Sequence, residues 1–414
     1  MSTEIIPLSV DSFEDPGGDG PEQPALEILD SLSRQANLFT GDTDLPNFML
    51  ETFPAGAREW QLEEGLTVVQ SPEGLTVNIS GFGGYVGKKS ERLVLKKKEG
   101  KAVWQIPFEK VAEVQVSARG ISLSTDVIGE LADRGIRVSI IGFNGRPVAQ
   151  VSSPMLTASV AVRRAQLQAL DNGRGLILAR AIAAGKLLNQ ARLLKYCVKN
   201  QKNTDLYTDL QGLIHSILEA RHEMLRGPWS DLARARAPLM GLEGQAARVY
   251  WQGFARLIEK QAQFKIREHR GTKDFVNSLL NYGYGVLYSQ VWGAVQTAGL
   301  EPFAGFLHTD RPGKPSLVLD LTEEFRAPIV DRTIVAALRR GELKPPPTAT
   351  TSTRTLTDDA RATLVDRLLQ RLESREHYQG GDYQIRSIIQ MQARQVASFL
   401  AGRTERYMPF RFKW

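Results

Sequence analysis

The chain has 414 residues, 42% of them apolar, and a net charge of +6; such a length exceeds one ordinary core and implies two domains plus extensions. No apolar run approaches the roughly 18 residues of a membrane-crossing helix, and the acidic N-terminus lacks the basic-then-apolar order of a secretory signal. Cys197 is the single cysteine, which excludes an internal disulfide and a cysteine-rich metal or iron–sulfur site, so the expectation is a cytoplasmic protein with no membrane attachment.

Charge is unevenly spread along the chain. Residues 1–60 hold 12 acidic and 2 basic side chains, a balance of −10 that leaves +16 on residues 61–414. A basic body of that size is the footprint of a polyanionic partner, of which nucleic acid is the commonest; the bland alternative is a basic but inert surface. Residues 1–24, with PGGDGPEQP, are too polar to fold alone. The stretch ALEILDSLSRQANLF at 25–39 has the spacing of a short amphipathic helix, with Leu26, Leu29, Leu32 and Phe39 on or near one face. The whole of 1–64 reads as an acidic, partly disordered extension.

From 65 to 152 the pattern is one of short β runs separated by turn residues. These are LTVVQ (66–70), LTVNIS (75–80), YVGKK (85–89), RLVLKKK (92–98), AVWQIPF (102–108), AEVQVS (112–117) and RVSIIGF (137–143). One helix interrupts them at 126–135, capped by Ser124 or Thr125 and stopped by Gly135. Lys96, Lys97 and Lys98 read as protection for an exposed strand edge. Near residue 155 the period changes to about 3.6, and helical patterns then run to the C-terminus, interrupted by LKPPPTATTSTRTLT at 343–357, which reads as a mobile loop. The predicted fold class is therefore α+β: a small, mostly β N-terminal domain followed by a large all-α domain at 153–414.

Few residues stand out as chemistry. Of the five histidines, His215, His222, His269 and His377 lie in or near charged helical stretches, where a solvated ring is the ordinary reading. His308 follows the apolar PFAGFL and precedes the polar turn TDRPGKP, a placement suited either to a structural histidine or to a metal ligand. Asp320 and Glu323 follow in SLVLDLTEEFR; at i and i+3 on a helix they share a face and can converge on one cation, whereas Glu324 points about 100° away. The competing reading is an acidic first turn that complements the helix dipole. Glu243, between Gly241 and Gly244, reads as the start of a strong helix, where an acidic residue is often there for the dipole alone. No phosphate-binding glycine loop, HExxH or GxSxG motif competes with these, and the aromatic residues of NYGYGVLYSQVWGAV read as packing.

In order along the chain, these segments resemble the Cas-one family of CRISPR-associated DNA integrases over about residues 65–414. IPFEKVAEVQVSARGISLSTDVIGELADRGIRVSIIGFNGRPVAQV is similar to the family's N-terminal β domain, and MGLEGQAARVYW to the segment with its metal-binding glutamate. FVNSLLNYGYGVLY resembles its long central helix, and YMPFRFKW its tails. GFLHTDRPGKPSLVLDLTEEFRAPIVDR, similar to its histidine and acidic ligand region, is the most specific.

The resemblance implies a metal-dependent DNA endonuclease and integrase that inserts short foreign fragments into a CRISPR array by transesterification. Carried over by position, the metal ligands are Glu243, His308 and Glu323, with Asp320 shaping the site or binding through water. Glu323 stands where many members have aspartate. The implied ion is Mg2+ or Mn2+, and the implied contacts to DNA phosphates are Arg248, Arg311, Lys314 and Arg326. The partners implied are double-stranded DNA (spacer precursor and CRISPR repeat), a second copy joined through a dimerisation domain at 65–152, and a Cas-two dimer bridging two such dimers. A transposon-encoded integrase of the same fold, or a DNA-binding scaffold without activity, remains as an alternative. Residues 1–64 have no counterpart in the minimal family pattern. If the acidic first 60 residues shield the basic body, their deletion raises nonspecific duplex affinity about tenfold at low salt; an unchanged affinity by fluorescence anisotropy refutes the shielding.

Overall fold

The computed structural model describes residues 59–412 apart from 64–65, 72–73, 80–82, 98–101, 118–119, 143–146, 152–159, 203, 269–273 and 347–355. The helix expected at 25–39, residues 1–58 of the expected extension and most of the loop expected at 343–357 lie outside the described residues; residues 59–63 of that extension form a strand.

The β region forms two sheets. One has the order β1 (Glu59–Glu63), β2 (Leu66–Ser71), β3 (Gly74–Ile79), β7 (Val111–Val116), β9 (Arg137–Ile141), β10 (Pro147–Val151). Its centre, β3–β7–β9, is parallel. Parallel strands bury both faces, and β3 accordingly hides Thr76 and Asn78 as well as Leu75, Val77 and Ile79. The connection from β7 to β9 includes helix α1 (Thr125–Asp133), whose first turn is capped by Ser124 accepting from the Val127 amide, and after which Gly135 takes a φ of 70°. The second sheet runs β6 (Ala102–Pro107), β5 (Arg92–Lys97), β4 (Gly84–Lys89), β8 (Ser122–Leu123). Here the lysine reading needs correction. β5 is paired on both sides, so Lys96 does not guard an edge; its ammonium lies 5.7 Å from the Tyr85 ring centre on the neighbouring strand.

The helices are α2 (Val160–Gln168), α3 (Arg174–Val198), α4 (Asp205–Arg226), α5 (Leu232–Ile258), α6 (Phe275–Thr297), α7 (Ser316–Thr322), α8 (Arg332–Arg339), α9 (Asp358–Glu373) and α10 (Ile385–Leu400). Thr204, Asp231, Asp274 and Thr357 cap α4, α5, α6 and α9 with their side-chain oxygens. α3 is buried on nearly every face, as a central helix of a large core must be. The region is not purely helical, which corrects the all-α expectation: β11 (Arg375–Tyr378) and β12 (Gly381–Gln384) form a hairpin between α9 and α10. Glu-His and Gly-Asp breaks with only four residues per strand gave no periodic signal.

The sheet is keyed to the helices by one buried charge. Glu113 on β7 meets Arg137 of β9 at 3.1 Å, Arg386 of α10 at 3.3 Å and Gln290 of α6 at 3.2 Å. Burial alone would raise its pKa; the two guanidiniums outweigh that and hold it below the ordinary value.

Between α7 and α8 the chain makes a wide π-helical turn, Arg326–Asp331. Its last residue, Asp331, is buried and accepts hydrogen bonds from Tyr250 (2.6 Å) and Tyr284 (2.5 Å). Burial pushes its pKa up to about 6 against the pull of the two hydroxyls. A raised carboxyl pKa means that the native state holds the proton more tightly than the unfolded chain, so stability present at low pH is lost as pH climbs from about 4 to about 6. Asp331→Asn removes this dependence. Its stability relative to wild type improves by on the order of 1–3 kcal/mol between pH 4 and pH 7; urea titrations that give a pH-independent difference overturn the assignment.

Candidate metal and nucleic-acid site

His308 is presented by a loop wrapped around one carboxylate. Asp320, fully buried on α7, accepts the backbone N–H groups of Phe306 (2.6 Å), Leu307 (2.9 Å) and His308 (2.9 Å). It also takes a hydrogen bond from Nδ1 of the His308 ring at 2.7 Å. A carboxylate can only accept here, so Nδ1 carries the proton and the lone pair of a neutral ring falls to Nε2. Both Asp320 oxygens are spent on these contacts. Asp320 thus orients the histidine, while Glu323 meets Lys186 and Arg326. Beyond His308 the chain reverses through Arg311-Pro312-Gly313-Lys314, where Gly313 takes a φ of 72° and Lys314 N–H reaches Arg311 C=O at 3.0 Å.

Glu323 stands at the C-terminal end of α7, and Glu243 on α5. Lys186, projecting from α3, bridges them: Nζ lies 2.6 Å from Glu323 Oε2 and pairs closely with Glu243 Oε1. Arg326 pairs with the other Glu323 oxygen at 2.8 Å and stacks over the Tyr284 ring at 4.9 Å. Burial would raise the Glu323 pKa, but Arg326, Lys186 and His308 together hold it down at about 2. Burial would likewise lower the pKa of Lys186, and Glu323 and Glu243 raise it instead. The site is thus a compact square of charge, two carboxylates and two cations, with the imidazole within electrostatic reach.

Glu243 lies in mid-helix and not at a helix start. α5 begins at Leu232 behind the Asp231 cap and accommodates Pro238, the residue that masked the true start. The Gly241 and Gly244 positions face open space. Lys186 was missed, although a single lysine in AIAAGKLLNQA, a run of small and apolar residues, is a legible sign of a buried charge.

Among the phosphate-contact candidates, Arg248 and Arg311 are exposed and Lys314 half-buried. Arg326 is already engaged by Glu323 and Tyr284. His215 and His377 are exposed and paired with Glu219 and Asp382, and His222 is exposed; His269 lies outside the described residues.

Among the described residues, no three His, Cys, Asp or Glu side chains stand together as a ready metal cage; the ammonium of Lys186 takes the place between the two carboxylates. The donor chemistry nonetheless fits a divalent cation. Glu323 is ionised, and its buried Oε2, although beside Lys186, takes no well-aligned hydrogen bond. Two carboxylates and an imidazole with a free Nε2 suit Mn2+ or Mg2+.

The sequence profile of CRISPR associated protein Cas1 matches residues 77–370. The CRISPR-associated endonuclease Cas1 1 of Archaeoglobus fulgidus is 33% identical, over 81% of this chain and 99% of that protein. That of Francisella tularensis subsp. novicida is 32% identical, over 81% and 98%. A casposase bound to integration product superposes with a TM-score of 0.66 at 22% identity, over 80% of this chain and 91% of that one. A Cas1 protein from Thermotoga maritima superposes with a TM-score of 0.62 at 22% identity, over 77% and 95%. The fold, the ordered motifs and a profile match across most of the chain lead to one conclusion: this chain belongs to the CRISPR-associated Cas1 family.

Proposed function

We propose that the chain is a metal-dependent DNA endonuclease and integrase of CRISPR adaptation, which joins the 3′ end of a short duplex to a CRISPR repeat border by transesterification. One observation carries the reading: two carboxylates from different helices, one of them buried and ionised, face a shared cation beside an imidazole whose orientation is fixed by Asp320. The names of the curated relatives, endonucleases at about a third identity over almost their full length, support the same reading. The casposase likeness supports the fold at lower identity and leaves the transposon reading weaker; a neighbouring CRISPR array, as against terminal inverted repeats, separates the two.

Glu243, Glu323 and the Nε2 of His308 would hold Mn2+ or Mg2+, which when bound lowers the pKa of an attacking hydroxyl and offsets charge developing at phosphorus. For the carboxylates to take that ion, Lys186 would have to leave the bridge. Its ammonium could then meet a non-bridging phosphate oxygen, while Arg326 would keep Glu323 ionised. Asp320 holds the imidazole in register throughout. Arg248, Arg311 and Lys314 hold the DNA backbone. The β region mediates pairing with a second copy, and a Cas-two dimer bridges two such pairs; the name of a Cas6-RT-Cas1–Cas2 complex of similar fold supports a Cas-two partner.

Two outcomes test the site. Lys186→Met leaves Glu243 without its ion pair and Glu323 with Arg326 alone, so metal-free stability falls by about 3–5 kcal/mol, while Mn2+ restores more of the melting temperature than it adds to wild type; equal Mn2+ shifts would remove Lys186 from the ion's place. His308→Ala abolishes Mn2+-dependent joining of a short duplex to a repeat-bearing plasmid while the protein stays folded by circular dichroism. Full joining with unchanged thermal stability would exclude the histidine from the site.

A further inference from the structure

The stretch Tyr407–Phe412 is held by several buried hydrogen bonds. Phe410 N–H donates to the Glu324 carboxylate at 2.7 Å, and the same carboxylate accepts from Tyr407 (2.6 Å) and from Gln392 (2.8 Å). Asn189 on α3 donates to Phe410 C=O at 2.9 Å and accepts from Phe412 N–H at 3.0 Å. Phe410 and Phe412 are buried, and a side chain at Gly185 would meet Pro409 at 2.6 Å. Gly185, Asn189 and Arg192 are spaced i, i+4, i+7, so the tail runs along one face of α3.

The residue between the two buried phenylalanines is Arg411, and it is exposed. The backbone on both sides of it is pinned, so its position is fixed at the surface. Arg192 of α3 donates to Phe412 C=O at 2.6 Å, which sets its guanidinium next to that residue. Arg221, from α4, completes the group: Arg192 and Arg221 both feel the charge of Arg411, and Arg221 also feels that of Arg192. Both are partly desolvated and are pushed below the ordinary arginine value by burial and by this mutual repulsion. No carboxylate among the described residues pairs with any of the three, and Arg221 Nε is buried without an acceptor. Three like charges drawn from three segments, with the backbone fixed around one of them, cost free energy in the unliganded protein. An anion that bridges them recovers it.

We propose that Arg192, Arg221 and Arg411 form a subsite for a backbone phosphate of the DNA strand whose end lies at the Glu243–Glu323 site. Arg192 lies six residues beyond Lys186 on α3, about 9 Å along the axis and about 120° round it, so a strand that reaches both passes from one face of the helix to the next over a few nucleotides. Glu324, which anchors the tail that carries Arg411, is the immediate neighbour of Glu323.

This subsite rests on the nuclease reading for its substrate but is testable without metal. In EDTA, with the full chain and a labelled duplex carrying a short single-stranded 3′ extension, affinity is measured by anisotropy from 50 to 200 mM salt. R221Q and R411Q each weaken binding about fivefold at 100 mM salt, and each lowers the slope of log affinity against log salt by about 1. R411K, which keeps the charge, retains the wild-type slope. Melting temperatures within a few degrees of wild type show that the variants are folded. Wild-type affinity and slope in both glutamine variants overturn the subsite, as does an R411K protein that loses as much slope as R411Q. A site for free anion would show instead as inorganic phosphate raising the melting temperature of wild type but not R411Q, with DNA binding unchanged, and that result also overturns the proposal. Because no cleavage is measured, failure here leaves the joining assay with His308→Ala to decide the nuclease reading separately.

Discussion

Three carboxylates within five residues of chain, Asp320, Glu323 and Glu324, are all buried. A buried charge is tolerated only where partners satisfy it, and no single segment supplies partners for three. Each therefore recruits a different part of the molecule. Asp320 gathers the His308 loop, Glu323 draws in Lys186 and Arg326, and Glu324 fastens the C-terminal tail. The local helix fans the three side chains around its axis, and the rest of the site is arranged by what each direction must meet.

The electrostatic consequence differs for each. Glu323 is held at about 2 by two cations and the imidazole, and so stays ionised at any working pH. Glu324 sees no cation; burial drives it up to about 7 while its three hydrogen-bond donors pull the other way. Adjacent residues of the same type thus carry opposite shifts, because one faces charge and the other faces neutral donors. The ionised member is the one suited to a cation, and the other is suited to holding chain in place.

The Lys186 bridge gives the site a resting state with no net charge to solvate. A buried ion pair contributes little to stability when intact and costs much when broken from one side. The two glutamates, which would repel each other across an empty gap, are held close together by that ammonium. Arg326 differs in that its planar group lies between Glu323 and the Tyr284 ring.

The sequence by itself determined the order of β region and helical region, a cap at Ser124 or Thr125 and the Gly135 stop, and the His308–Glu323 stretch, because these depend on near-neighbour periodicity and on turn residues at fixed offsets. It did not reveal that β5 lies inside its sheet, that Glu243 is in mid-helix, or that the chain makes a hairpin at 375–384. Strand order and helix length are set by packing partners distant in sequence. Nor could it divide the acidic turn into a histidine holder, a cation-facing group and a tail anchor, or find Lys186 opposite them. Spacing tells which way a side chain leaves its helix; only the tertiary structure decides what stands in that direction, and for a buried charge the neighbour determines the role.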